Sequence, residues 1–143
     1  MAAAPSGVNR VGKRAILVVD HGSRRAEANG TLFSFIELLK QQVPSGTVIH
    51  GAHMEMAPPD IPEGFQRCVE DGAQHVTVVP YFLAPGKHST KDIPTMAAES
   101  AARYPGVTFA VTPPLGVHQK IAEVVLERVR SAEDAASEAS AAL

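Results

Sequence analysis

The chain reads as an α/β domain in which a four-stranded parallel sheet is flanked by helices, and three observations predict it. Short apolar runs rich in Val and Ile recur four times. Each is followed by a stretch whose apolar residues repeat every three or four positions. Gly, Pro or Asp marks the boundaries between them. Runs that are apolar on nearly every residue suit strands buried on both faces, as in a parallel sheet, and strand–helix alternation with right-handed crossovers lays helices on both sides.

The first strand is Ala15-Ile16-Leu17-Val18-Val19-Asp20, a buried run that ends in a polar turn. Leu32, Ile36, Leu39 and Val43 then form the apolar stripe of a helix that Pro44 and Gly46 stop. Thr47 to His53 reads as the second strand, and Ile61, Phe65 and Val69 mark a helix ending near Asp71-Gly72. His75 to Tyr81 is the third strand, again β-branched. A third helix is expected from about Lys91 to Tyr104, with Pro94 tolerated in its first turn and Pro105-Gly106 as its stop. Val107 to Val111 is the fourth strand, and Ile121, Val124, Val125 and Val129 place one apolar face on a last helix.

A length of 143 residues suits one core, expected over residues 15–130. The first 14 residues contain no acids and carry Arg10, Lys13 and Arg14; they read as a flexible segment, either a transit-peptide remnant or a leftover of expression. From Ser131 to Leu143 the chain is Ala, Ser and Glu without an apolar stripe, so a frayed helix end or disordered tail is expected there. A net charge of -2 lacks the basic excess that tracks a phosphate backbone, which counts against a nucleic-acid partner. No apolar run approaches the roughly 20 residues that cross a bilayer, so no membrane association is expected. The single cysteine, Cys68, excludes a multi-cysteine metal or iron–sulfur site within this chain, and its apolar neighbours make it a packing thiol.

Ligands of open parallel sheets bind beyond the carboxyl ends of the strands. After the first strand come His21, Gly22, Ser23, Arg24 and Arg25; after the second, Glu55 and Met56; after the third, Gly86, Lys87, His88, Ser89 and Thr90; after the fourth, Gly116 and His118. His21, Glu55 and His88 can therefore converge from three strands, and two imidazoles with a carboxylate suit borderline divalent ions while leaving coordination positions open. His50, His53, His75 and His118 read as loop-anchoring hydrogen-bond partners. Arg24, Arg25 and Lys87, with hydroxyls from Ser23, Ser89 and Thr90, form a candidate rim for a substrate bearing several carboxylates. Gly22 and Gly86 match neither a dinucleotide loop nor a P-loop, since His88 follows Gly86-Lys87, and no Gly-x-Ser-x-Gly elbow is present.

Five ordered motifs carry a resemblance. Val19-Asp20-His21-Gly22-Ser23-Arg24, His53-Met54-Glu55-Met56-Ala57-Pro58-Pro59, Pro80-Tyr81-Phe82-Leu83-Ala84-Pro85-Gly86-Lys87-His88, Asp92-Ile93-Pro94 and Pro114-Leu115-Gly116 resemble the class II chelatases. The similarity is greatest to the short sirohydrochlorin ferrochelatases and cobaltochelatases, above all the plant type, and covers roughly Ala15 to Arg130. It implies a flavodoxin-like chelatase half-domain that pairs as a homodimer around its site. It also implies that His21 and His88 hold the metal and that Glu55 assists. The implied activity is ATP-independent insertion of a divalent ion, Fe(II) before Co(II), into sirohydrochlorin, an acidic tetrapyrrole; the metal is a substrate. Plant-type members end in a cysteine-rich iron–sulfur extension, whereas no cysteine follows Cys68 here, so no cluster is expected in this chain. Many relatives place a second acid where Pro58 stands. The implied compartment is the chloroplast stroma in a eukaryote and the cytoplasm otherwise. The competing readings are a cobaltochelatase, a non-catalytic metal or tetrapyrrole carrier, and a flavodoxin-like regulatory domain in which the His and Glu residues are inconsequential.

Overall fold

A computed structural model describes residues 12–142, with the side chain of His88 outside that description. Four strands, β1 (Arg14–Asp20), β2 (Val48–His53), β3 (His75–Pro80) and β4 (Thr108–Val111), form one parallel sheet in the order β2-β1-β3-β4. Their connections contain α1 (Ala26–Lys40), α2 (Ile61–Glu70) and α3 (Ile93–Ala101), and α4 (Gln119–Ala141) follows the last strand. The predicted parallel α/β sheet is thus present, with β1 central and the strand order reversing beside it.

Alternation along β1 divides the core. Ala15, Leu17 and Val19 face a cluster with Phe65, Cys68, Val76, Val78 and Ile93, beneath α2 and α3. Val18 faces the other way with Ile49, Leu32 and Ile36 under α1. Cys68 lies wholly inside the first cluster, and burial, then the nearby Asp71 carboxylate, pushes its thiol pKa up to about 12. A thiol held protonated in this way is a packing group, as the sequence predicted.

Two elements differ from expectation. The third helix does not begin at Lys91: a π-helical turn, His88–Asp92, precedes α3. Pro94 has no N–H to give the carbonyl of Thr90, so regular α-helical bonding cannot run through this point and the wider turn takes its place. The last helix does not fray after Ser131 but runs to Ala141. Its Ala and Glu content favours helix even without an apolar stripe. Of the N-terminal segment only Gly12 to Arg14 falls among the described residues, and Arg14 opens β1.

α4 contributes no buried residue, and Val124, Val125, Leu126 and Val129 are exposed. On the α1 side of the sheet Thr77 and Val79 of β3 are half-buried and Ala110 of β4 is exposed. That half of the sheet face and the apolar stripe of α4 are both left open.

Candidate metal centre

The parallel register brings the end of β1 beside the end of β2, with Asp20 opposite Val48–His53's last residue, His53. The ladder continues past both strands: Met54 N–H donates to Asp20 O at 2.9 Å, and Glu55 N–H donates to His21 O at 3.0 Å. His21 and Glu55 are therefore fixed side by side although 34 residues apart, and Nε2 of His21 meets Oε2 of Glu55 in a hydrogen-bonded pair. Both side chains remain about half exposed, open to an incoming ligand.

Gly22 permits this approach. Its φ is +96°, and a Cβ there would lie 1.9 Å from the Glu55 carbonyl oxygen, so no larger residue fits without displacing the Glu55 strand end. Ser23 follows, clamped by Asn29: Ser23 N–H donates to Asn29 Oδ1 at 2.9 Å, and Asn29 Nδ2 donates to Ser23 O at 2.8 Å. The hydroxyl of Ser23 accepts from Arg25 N–H at 3.0 Å in the turn that leads into α1. Arg24 and Arg25 are exposed beside this turn, and Arg25 lies 3.6 Å from Glu27.

On the third loop Lys87 is exposed, and His88 opens the π-helical turn, with its side chain outside the described set. Ser89 of the turn is buried and Thr90 is exposed, yet both hydroxyls bond to Gly86. Ser89 Oγ accepts from Gly86 N–H at 3.0 Å, and Thr90 Oγ1 donates to Gly86 O at 2.6 Å. A cleft of about 390 Å³ adjoins Glu55, lined also by Met54, Lys91, Asp92, Thr95 and Met96. A second, of about 490 Å³, lies between the π-helical turn and the β4 loop, with Ser89, Thr90 and Gly116 in its wall. The two loops touch there: Leu115 N–H donates to Phe82 O at 2.8 Å, and a Cβ on Gly116 would meet Leu83 O at 2.1 Å. Met56, Leu83 and Val117, one from each of the last three loops, are exposed apolar residues on this same rim.

Among the described residues no three His, Cys, Asp or Glu side chains gather into a metal-holding set. The other histidines anchor structure, as predicted. His50 pairs with Asp71 at 2.7 Å, His75 with Thr108 at 2.7 Å, and His53 with Asp20 at 2.6 Å, while His118 Nδ1 accepts from Lys120 N–H and caps α4. Sequence reasoning did not find Asn29, the apolar rim residues Leu83 and Val117, or the left-handed backbone of Met56, whose φ is 75°. An Asn in the first turn of a helix behind a Gly-Ser loop was the available signal for the first of these. Among the described residues no helix is long and apolar enough to cross a membrane.

The chain is 41% identical over 115 residues to the chloroplastic sirohydrochlorin ferrochelatase of Arabidopsis thaliana, which covers 80% of this chain and 51% of that protein. It superposes on the sirohydrochlorin chelatase SirB from Bacillus subtilis subspecies spizizenii, solved in complex with cobalt, with a TM-score of 0.77 and 35% identity over 83% of this chain and 50% of that one. It is 28% identical over 117 residues to the sirohydrochlorin cobaltochelatase of Sulfolobus acidocaldarius, covering 82% of this chain and 90% of that protein. The chain thus spans about half the length of the plant and Bacillus relatives and nearly all of the archaeal one. Residues 15–132 match the CbiX family model, and since the strands and rim loops that carry the chelatase-like motifs all fall inside that span, the chain belongs to the CbiX family.

Proposed function

We propose that this protein inserts a divalent metal, Fe(II) in its physiological role, into sirohydrochlorin without ATP. The observation that carries the reading is the joined His21–Glu55 pair at the carboxyl end of the sheet, half exposed and backed by a rim that is basic and apolar by turns. Arg24, Arg25 and Lys87 suit the substrate's carboxylates, and Met56, Leu83 and Val117 suit the faces of its macrocycle. His88, in the third motif, is assigned as the second imidazole ligand beside His21.

In this mechanism the metal passes from imidazole nitrogen to the four ring nitrogens by ligand exchange, with no change of oxidation state. Two pyrrole N–H bonds break, and the two protons go to Glu55 and to the imidazole that has released the metal. Iron is favoured over cobalt by the ferrochelatase relative. Imidazole and carboxylate alone accept both ions. The compartment assigned is the chloroplast stroma in a eukaryotic source, following the chloroplastic relative.

The working unit is assigned as a homodimer. The open stripe of α4 and the open half-face of β3 and β4 complement each other, so a second copy covers both twice. This chain spans only about half of each of the two long relatives, which fits a site built from two halves.

The deciding experiment is the anaerobic insertion rate with sirohydrochlorin and Fe(II), Co(II) or Ni(II), followed by absorbance over many turnovers. The expected result is catalytic turnover fastest with Fe(II), lost by about 100-fold or more in Glu55→Gln and in His88→Ala. Arrest after one equivalent would make the protein a carrier, and full activity in both variants would remove these residues from the site.

A further inference from the structure

The pair of His21 and Glu55 has a less exposed counterpart at the adjoining strand ends. Asp20 and His53, the last residues of β1 and β2, are register partners, and His53 Nδ1 donates to Asp20 Oδ1 at 2.6 Å. The chemistry alternates between strands: β1 ends in carboxylate then imidazole, Asp20-His21, and β2 supplies imidazole then carboxylate, His53 and Glu55.

The inner imidazole is expensive to keep. His53 is 1% exposed, and its ring stands at 84° to that of Phe33 with centroids 5.6 Å apart. Its Nε2 is buried and finds no hydrogen-bond partner among the described residues. A buried polar nitrogen left without a partner is destabilising, which an apolar side chain of similar bulk would not be. The other nitrogen of the ring is the one that is bonded, to Asp20. The backbone around the ring is correspondingly tight. His53 N–H donates to Pro59 O at 2.8 Å, and a Cβ on Gly22 would lie 3.0 Å from His53 Cβ.

From this geometry we infer that His53 is a positioning residue: through Asp20 it locks the two strand ends in register and so sets the separation and orientation of His21 and Glu55. The inference rests on the reading of that outer pair as the metal-holding one. Groups outside a metal's own ligands commonly change affinity by 10- to 100-fold when removed.

The test is Co(II) titration of the 143-residue chain by calorimetry and visible absorbance, with far-ultraviolet circular dichroism as the check on folding. His53→Leu is expected to fold, to bind Co(II) about 10- to 100-fold more weakly and to shift its ligand-field bands. His53→Asn places an amide N–H near the position of Nδ1 and is expected to restore most of the affinity and the parental bands. His53→Gln, whose amide reaches toward the position of Nε2, is expected not to. If His53→Leu fails to fold, the Asn and Gln pair decides the matter alone. Equal affinity in Asn and Gln, or parental affinity in a folded His53→Leu, overturns the inference. His21→Ala serves as the control: if it leaves Co(II) binding unchanged, the metal site itself is misassigned, whereas loss in His21→Ala with no effect at His53 refutes only the positioning role.

Discussion

Gly22 sits where the first motif touches the second, and its missing side chain is what lets His21 reach Glu55. Replacing it by Ala puts a methyl group 1.9 Å from the Glu55 carbonyl oxygen and forces a side chain into a φ of +96°. Gly22→Ala is expected to lower stability by about 2 kcal/mol or more and to weaken Co(II) binding together with it. Chemical denaturation beside a metal titration checks both, and an unchanged midpoint would mean that the loop yields without harm. The candidate ligands themselves were legible in the sequence, because a parallel sheet gathers its post-strand loops on one edge. The pairing of Asp20 with His53 was not, since it depends on register, which no run of apolar residues specifies. The bonding of Ser89 and Thr90 was also hidden: a hydroxyl beside glycine serves a loop or a ligand equally well on paper, and here both bond to Gly86. The same holds for Met56, whose left-handed backbone follows from the path the loop must take after Glu55.

α2 shows the opposite case, an element whose start is written in its residues. Asp60 caps it by accepting from Glu63 N–H at 2.9 Å, and Glu63 Oε1 accepts from Asp60 N–H at 2.9 Å. Pro62 takes a first-turn position where no N–H is needed. Asp60→Ala is expected to cost about 1 kcal/mol, seen as a lower urea midpoint with an unchanged slope. A midpoint equal to the parent's would show that packing of Ile61 and Phe65 alone holds the helix. Stripes of apolar residues predicted α1 and α2 because each lays one face on the sheet. The π-helical turn before α3 left no such trace, for it answers to one missing amide hydrogen at Pro94. The extension of α4 escaped notice because helix propensity, rather than burial, sustains its last three turns.

Across the molecule, the sheet is covered unevenly, with α2 and α3 on one face and α1 alone over β1 and β2 on the other. In the proposed homodimer the free stripe of α4 covers that gap in the neighbouring copy. Sedimentation is expected to give twice the chain mass of 15.1 kDa. The double variant Val125→Asp and Val129→Asp is expected to sediment as monomer while keeping its helical circular dichroism. A parent protein that stays monomeric at high concentration would refute the dimer. The alternation of strand and helix was readable from the sequence, whereas the detachment of α4 was not, because an amphipathic pattern names a buried face without naming what buries it. The position of the donor pair has a consequence for the order of assembly. His21 opens the first crossover and Glu55 stands two residues past the end of β2, so closing a loop of 34 residues unites them before β3 or β4 need be in place. An ion that recognises the closed crossover and not the open chain draws it shut by mass action. On the proposed reading that ion is the metal to be inserted, and it thereby favours the first unit to fold.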